Sequence, residues 1–156
     1  MASSDATERF AASASELGIE VSVRSYPEGT RTAIDAAAAV GCDVDQIVKS
    51  LVLMADDQPV LVLCSGANRV DLAKVGAEFG GEVRMANADE VRAATGFAIG
   101  GAPPFGHPAP LPTLVDPHLL TFDEVWAAAG RPDSVFPLTP GDLMAGSGAR
   151  PADIAT

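Results

Sequence analysis

The sequence predicts a mixed α/β domain in which helices pack against one β-sheet. Three observations predict this class: helical spacing of apolar residues, two adjacent apolar runs of strand length, and glycine or proline at most segment ends. The chain has 156 residues, of which 47% are hydrophobic and 20% charged, a balance typical of proteins that bury a core. Because there is no internal repeat and no flexible linker, we expect residues 1–156 to form a single domain.

Five helices are predicted from their capping residues and their apolar spacing. A short polar side chain favours the first turn, and glycine favours the end because it readily adopts a left-handed conformation. The predicted helices are residues 6–17 before Gly18, 33–40 between Thr32 and Gly41, 72–79 between Asp71 and Gly80, 88–95 between Asn87 and Gly96, and one that begins at Thr139-Pro140.

Strands are predicted where apolar residues alternate or run together between turn residues. Residues 19–23 alternate, and the apolar runs 47–54 and 60–64 flank a short polar turn, which favours a buried β-hairpin. Shorter strands are expected at 82–85 and 113–116. The segment 123–129 is ambiguous, since its alanine content favours a helix whereas its short length between proline and glycine favours a strand. We predict a strand there.

The chain is strongly acidic, with a net charge of −11 from 21 acidic and 10 basic residues. This balance argues against a protein that holds nucleic acid through a broad basic surface, because such binding uses many phosphate contacts. Six of the ten basic residues lie between residues 31 and 92, so a local cationic site remains compatible with the sequence. These central residues are Arg31, Lys49, Arg69, Lys74, Arg84 and Arg92.

Several other classes of protein are disfavoured. No apolar run approaches the roughly 20 residues of a membrane helix, and the N-terminus lacks the pattern of a signal peptide. Cys42 and Cys64 are too few and too isolated for a structural zinc site, so two unpaired thiols are expected. We therefore expect a cytoplasmic protein with no membrane association, no metal and no cofactor.

Lys49 is the first candidate for a functional residue. It is the only charged residue in the predicted strand 47–54, and both faces of that strand are apolar. A buried ammonium without a partner is strongly unfavourable, so the side chain must reach a cavity, an acidic partner or the end of the strand. An equally compatible interpretation is a lysine whose ammonium simply extends into solvent at the start of the strand.

The second candidate is the glycine- and proline-rich segment 96–107. Gly100 and Gly101 can present bare backbone N–H groups to a carbonyl or a phosphate, while Pro103 and Pro104 hold the backbone rigid. Fixed donors of this kind are what an ester-cleaving site needs for its developing oxyanion. The segment matches neither a P-loop nor a dinucleotide fingerprint, and composition alone favours the simpler interpretation of a tight proline-rich turn.

The remaining candidates carry weaker signals, and the sequence contains no nucleophile elbow and no evident Ser/His/Asp set. His107 directly follows the loop and can hydrogen-bond a substrate, although a single histidine beside a proline turn is more often merely exposed. Asp116 follows a predicted strand, where functional carboxylates and turn-forming Asp-Pro pairs are both common. Arg69 is placed to meet a phosphate or to face water.

Together these motifs resemble the YbaK family, also called the prolyl-tRNA synthetase associated editing domain. The resemblance extends from about Thr32 to Ile154. Its most specific part is the combination of the lysine in Gln46-Ile-Val-Lys-Ser-Leu51 with the downstream Gly-x-x-x-Pro of Gly100–Pro104. Further similar stretches are Asn68–Lys74, Ala94–Gly106, Pro140–Leu143 and Ala152–Ile154.

The resemblance implies a partly barrel-like mixed sheet surrounded by helices, and a freestanding hydrolase that removes wrongly attached amino acids from tRNA. The implied substrates are Cys-tRNA(Pro) or Ala-tRNA(Pro), with prolyl-tRNA synthetase as the implied protein partner. Lys49, Gly100 and Gly101 take the implied catalytic positions. The implied substrate-binding positions are Thr32, Ser50, Asn68, Arg69, Ala102, Pro103, Pro104, His107 and Asp116.

The implied mechanism needs no catalytic triad, because an aminoacyl ester is already activated and positioning supplies much of the rate. Lys49 would hold the terminal phosphate or the ester, the amides near Gly100 would polarise the carbonyl, and water or a cysteinyl thiol would attack. Pro103 departs from the small polar residue of many relatives, which leaves the amino-acid choice open. A non-catalytic module that binds an aminoacyl ligand, a nucleotide or a protein is one alternative, and a hydrolase of small esters is another.

Overall fold

The structure of the protein, a computed structural model, describes residues 6–26 and 32–156. Arg31, one of the central basic residues, lies outside this part of the chain. Within it, the helices are α1 (Ala6–Glu16), α2 (Ala33–Val40), α3 (Leu72–Phe79), α4 (Ala88–Thr95) and α5 (Pro140–Ser147). The strands are β1 (Arg24–Ser25), β2 (Ile47–Ala55), β3 (Gln58–Ser65), β4 (Val83–Met85), β5 (Thr113–Val115), β6 (Val125–Ala128), β7 (Ser134–Leu138) and β8 (Arg150–Pro151).

The predicted hairpin forms the centre of the sheet. Strands β2 and β3 pair antiparallel along their whole length, with Lys49 opposite Cys64. The turn between them contains Asp56 and Asp57, whose φ angles are 47° and 66°. A two-residue hairpin turn of type I′ requires positive φ at both positions, and aspartate is one of the few residues that tolerate it. The two aspartates therefore serve the turn, as the sequence indicated.

The sheet is mixed and has the strand order β1-β7-β6-β2-β3-β5-β8, while β4 also pairs with β2. One edge of β2 is fully occupied by β3. The other edge is shared, because β6 pairs with Ile47 and Val48 whereas β4 pairs with residues 53–55. Residues 49–51 have no described strand beside them on this edge. The gap between β4 and β6 opens the sheet at Lys49.

The five predicted helices are confirmed, including their caps. The Thr32 hydroxyl accepts the Asp35 N–H at 3.0 Å, and Asn87 forms a reciprocal capping box with Glu90. Helices α2 to α5 each end at a left-handed glycine: Gly41, Gly80, Gly96 and Gly148. In the described part of the chain, no helix has the length and apolar composition needed to cross a membrane.

An aromatic cluster anchors the first helix and the glycine- and proline-rich loop to the same core. The ring centroid of Phe10 in α1 lies 4.9 Å from that of Phe136 in β7 and 5.5 Å from that of Phe105. All three side chains are almost completely buried. Because Phe105 directly follows Pro103-Pro104, its burial holds that end of the loop against the core.

The prediction of a strand at residues 19–23 is wrong. These residues pair with no strand, and β1 begins only at Arg24, opposite Val135. Ile19 is buried, and Val21 and Val23 pack against the same core. The alternating pattern therefore reflects one buried side of an extended segment, and such a pattern does not require a neighbouring strand for its backbone.

Strand β7 was not predicted from the sequence, because Pro137 lies in its middle. Proline removes a ladder donor and is normally found at sheet edges. Pro137 pairs with Trp126 on β6, whereas β1 reaches only Ser134 and Val135 on the other side. The proline therefore occupies a locally free edge. The ambiguous segment 123–129 is confirmed as a strand, observed as Val125–Ala128.

Candidate active site

The gap beside β2 opens into a cavity of about 490 Å³. Residues from both faces of β2 line it, together with the start of α2, strand β6 and the loop residues Gly100 and Ala102. Most of the lining is apolar, and its hydroxyl and ammonium groups come from Thr32, Lys49, Ser50 and Ser134. A cavity of this size with few polar groups is typical of a site for a small ligand.

Lys49 lies in this cavity rather than extending freely into solvent. Its side chain is half-buried, and Nζ donates a short hydrogen bond to the main-chain oxygen of Asn68. No carboxylate within the described residues forms an ion pair with it. The ammonium is thus oriented by a neutral carbonyl and keeps its charge available to an anionic or carbonyl ligand.

Asp116 supports Lys49 from behind the cavity. The carboxylate is 4% exposed and accepts the side-chain amide of Asn68 at 2.8 Å. It also accepts the backbone N–H groups of Ser65 at 3.1 Å and His118 at 3.0 Å. Asp116 and Asn68 are absent from the cavity lining. They therefore position the carbonyl that holds Lys49.

Cys64 lies beside the same network but is unsuited to act as a nucleophile. Its side chain is fully buried, and Sγ lies 3.9 Å from a carboxylate oxygen of Asp116. Burial is the main reason that the pKa of this thiol is raised to about 11, while the Lys49 ammonium acts in the opposite direction. Cys42 and Cys64 are both free thiols, as predicted.

The two glycines of the loop have different roles. Gly100 has a φ of +84°, is exposed and lines the cavity. Gly101 is buried, and its N–H already donates to the Ala98 oxygen at 2.9 Å. A Cβ on Gly101 would lie 2.8 Å from Cα of Arg131. Gly101 is therefore needed for close packing, and its amide does not fit the donor role expected from the sequence.

The amides of Gly100 and Ala102 fit that role better. Neither N–H donates to any atom among residues 6–26 and 32–156, and both residues line the cavity that contains Lys49. Unused amides beside a cavity can bind a carbonyl oxygen or an oxyanion. Within this loop, the amides without an acceptor among the described residues are thus those on either side of Gly101, and not that of Gly101.

Pro103, Pro104 and His107 lie behind the cavity and brace the loop. Both prolines are buried and neither lines the cavity. His107 is half-buried, so the expectation of a merely exposed histidine is wrong. Its Nε2 lies 2.8 Å from the Pro103 oxygen, and burial lowers the pKa of the ring. A neutral imidazole therefore donates to the loop.

The lowered pKa of His107 predicts a loss of stability in mild acid. The folded state disfavours the protonated ring. The contribution of the neutral His107 ring to stability is therefore fully present above the ordinary histidine pKa of about 6.5. It is lost as the pH falls through the lower pKa of the folded state. We expect the urea midpoint to fall between pH 7.5 and pH 5, and His107→Gln to show a smaller fall. The control is His118→Gln, because that ring instead pairs with Asp45. Equal pH responses of wild type and His107→Gln would contradict this role.

Of two further predicted site residues, one lines the cavity and the other does not. Thr32 lines the cavity, but its hydroxyl already accepts the Asp35 N–H. Arg69 is exposed and outside the lining, and its backbone oxygen accepts the N–H of Thr156 at 3.0 Å. The structure thus places Thr32 beside Lys49 and separates Arg69 from the cavity.

The cavity has an apolar rim that the sequence did not predict. Ile34, Met85 and Ile99 line the cavity and are 73%, 47% and 53% exposed. Only five large hydrophobic side chains are exposed in the described part of the chain, so their concentration here marks a contact surface. The three residues lie on separate elements, and no sequence pattern relates them.

Two of the central basic residues form ion pairs away from the cavity. Lys74 pairs with Asp153 at 3.0 Å, and Arg84 pairs with Glu90 at 2.7 Å. Later in the chain, Arg150 pairs with Glu78. Lys49 is therefore unusual in having its ammonium in a cavity with only a carbonyl partner.

This fold, with a lysine and a glycine- and proline-rich loop beside one cavity, fits an aminoacyl-tRNA editing domain. The sequence profile of that domain matches residues 27–145, and the chain belongs to this family. The membership predicted from Lys49 and Gly100–Pro104 is thereby confirmed, as is the mixed α/β fold.

Particular relatives support the assignment. A crystal structure of a candidate trans-editing enzyme for prolyl-tRNA synthetase is 46% identical, with a TM-score of 0.93 and 98% coverage of both chains. The uncharacterised protein YwhH of Bacillus subtilis is 33% identical over 125 residues, which is 80% of each chain. EbsC of Enterococcus faecalis, a candidate Cys-tRNA(Pro)/Cys-tRNA(Cys) deacylase, is 25% identical over 85% of this chain and 82% of its own.

Proposed function

We propose that this protein is a trans-acting deacylase that hydrolyses the ester of misacylated tRNA, with Ala-tRNA(Pro) or Cys-tRNA(Pro) as substrate. The observation that carries the proposal is the position of Lys49 and the amides of Gly100 and Ala102 around one cavity. The similarity to a candidate trans-editing enzyme for prolyl-tRNA synthetase and to a candidate Cys-tRNA(Pro) deacylase supports the choice of tRNA.

The proposed chemistry relies on positioning and electrostatics. The Lys49 ammonium binds the phosphate or ester oxygen at the 3′ end of the tRNA, and the amides of Gly100 and Ala102 bind the ester carbonyl oxygen. A water molecule attacks the carbonyl carbon, the negative charge passes to that oxygen, and the C–O bond to the ribose breaks. The products are the free amino acid and a tRNA with its terminal hydroxyl restored. Donors fixed before the reaction are worth most in such a step.

The apolar rim suits the non-ionic parts of the same ligand. Ile34, Met85 and Ile99 surround the mouth of the cavity, where the base and ribose of the terminal nucleotide would lie. Contact of this kind adds affinity without phosphate recognition. With a net charge of −11, the protein is expected to hold only the 3′ end by itself. We propose that prolyl-tRNA synthetase supplies the remaining tRNA contacts.

The decisive test is a deacylation assay with a panel of charged tRNAs. We expect hydrolysis of Ala-tRNA(Pro) or Cys-tRNA(Pro), while the correctly charged Pro-tRNA(Pro) is spared. Failure to hydrolyse any misacylated tRNA, combined with binding of a non-hydrolysable aminoacyl-adenosine, would indicate a binding module. Equal turnover of small free esters would indicate a general esterase.

A further inference from the structure

One polar atom in the cavity lining lacks a partner. The hydroxyl oxygen of Ser50 is buried and forms no hydrogen bond with the described protein atoms. Every other buried side-chain nitrogen or oxygen in residues 6–26 and 32–156 has a hydrogen-bond partner. Such an atom is unusual, because buried polar groups are almost always hydrogen-bonded. A hydroxyl without a hydrogen-bond partner at the wall of a cavity indicates that a bound ligand supplies that partner.

Ser50 occupies the middle of the gap beside β2. The Ile47 oxygen accepts Gly66 N–H on the β3 side at 2.7 Å, whereas the Val52 oxygen accepts Ala86 N–H on the opposite side at 3.2 Å. Because these directions alternate along a strand, the backbone groups of Ser50 point towards the open edge. No strand pairs with Ser50 there. The backbone groups of Ser50 therefore lie at the open edge of β2, and the residue lines the cavity.

The surroundings of the hydroxyl are apolar. The Ser50 side chain shares its face of β2 with Val48 and Val52, which are 4% and 3% exposed. The other polar side chains of the lining each make at least one hydrogen bond: Thr32 accepts the Asp35 N–H, the Ser134 hydroxyl bonds to the backbone of Arg131, and Lys49 donates to Asn68. The Ser50 hydroxyl differs from them because it makes none within the described residues.

We propose that Ser50 is a specificity-determining residue that favours aminoacyl groups with an oxygen or sulfur on the β-carbon, serine or cysteine, over alanine. This inference rests on the proposed deacylase function and refines its substrate. A substrate side chain that packs against this buried hydroxyl must supply the hydrogen bond that the protein does not provide. A seryl or cysteinyl side chain can do so, whereas an alanyl methyl group leaves the hydroxyl unpaired, which is unfavourable.

The test compares wild type with Ser50→Ala on Ser-, Cys- and Ala-tRNA(Pro). In wild type, kcat/KM is expected to be higher for the seryl or cysteinyl ester than for the alanyl ester. In Ser50→Ala this ratio is expected to fall by about 5- to 150-fold, the range for one unpaired buried group. Ser147→Ala is the matched control, because its hydroxyl bonds to the Leu143 oxygen and lies outside the cavity lining. Its ratio should equal that of wild type.

Folding of the variants is followed by urea unfolding. Ser147→Ala loses two hydrogen bonds, to the Leu143 oxygen and from the Ala149 N–H, and should unfold at lower urea. Ser50→Ala removes an unpaired hydroxyl and should not. Ser50→Cys, which keeps a weaker donor of similar size, should give an intermediate ratio and provides a second test if the alanine variant misfolds. An unchanged ratio in an active Ser50→Ala enzyme, or a wild-type preference for Ala-tRNA(Pro), would overturn the role of Ser50 while the deacylase function stands. Failure of wild type to hydrolyse any of these tRNAs would overturn both.

Discussion

Replacement of Lys49 by alanine is expected to reduce kcat/KM for a misacylated tRNA by about 100-fold or more, the effect of removing one fixed electrostatic group from a transition state. The ammonium lies in the cavity with only the Asn68 oxygen as partner, so its charge is directed towards the ligand. The same change should alter stability little, because no described ion pair is lost. The measurement is single-turnover deacylation, combined with urea unfolding.

Lys74→Ala is the matched control for this prediction. Lys74 also carries a lysine ammonium bound to a backbone oxygen, that of Ala155 at 2.7 Å, and it pairs with Asp153, but it lies outside the cavity lining. Its loss should lower stability slightly and leave turnover unchanged. Lys49→Arg should retain little activity, because a guanidinium cannot reproduce the geometry of a compact ammonium. Unchanged turnover in Lys49→Ala would remove Lys49 from the mechanism.

The elements of this fold that depend on local sequence could be predicted. The caps at Thr32 and Asn87 satisfy the first-turn amides of their own helices, and the Asp56-Asp57 turn is set by its own φ angles. Such interactions involve residues close in sequence, so composition and spacing are enough to indicate them. Lys49 was also recognisable, because a single charge in an apolar strand requires a special environment.

The features that depend on distant pairing could not be predicted. The gap beside Lys49 exists because β4 and β6 divide one edge of β2, and no local pattern specifies where each strand stops. The difference between Gly100 and Gly101 likewise depends on the backbone of Arg131, 30 residues away along the chain. The Ser50 hydroxyl is unremarkable in sequence, and only the packing around it reveals that it is unpaired.

Asp116 is the residue whose loss should affect stability most. In Asp116→Ala, three groups lose their acceptor: the N–H of Ser65, which is buried, and the N–H of His118 and the amide of Asn68, which are partly buried. Because each buried unsatisfied group costs about 1–3 kcal/mol, we expect the free energy of unfolding to fall by about 3 kcal/mol or more. Urea unfolding at pH 7.5 measures this change.

The matched control is Asp71→Ala, which also removes a carboxylate that accepts two backbone N–H groups, those of Ala73 and Lys74. Those groups lie at the first turn of α3, where water can replace the cap, so the expected loss is only about 1 kcal/mol. Similar losses in Asp71→Ala and Asp116→Ala would show that the buried network contributes nothing beyond an ordinary cap.

The isosteric Asp116→Asn variant separates stability from positioning. One carboxylate oxygen of Asp116 accepts both the Ser65 N–H and the Asn68 amide, and the other accepts the His118 N–H. An asparagine whose oxygen stays with His118 turns its NH₂ group towards the Asn68 amide, so one of the two side chains must turn away. Asn68 then no longer holds its carbonyl against Lys49. Since Asp116 lies outside the cavity, we expect kcat to fall while KM for tRNA changes little. A variant that folds and retains wild-type kcat would show that Lys49 is oriented without this support.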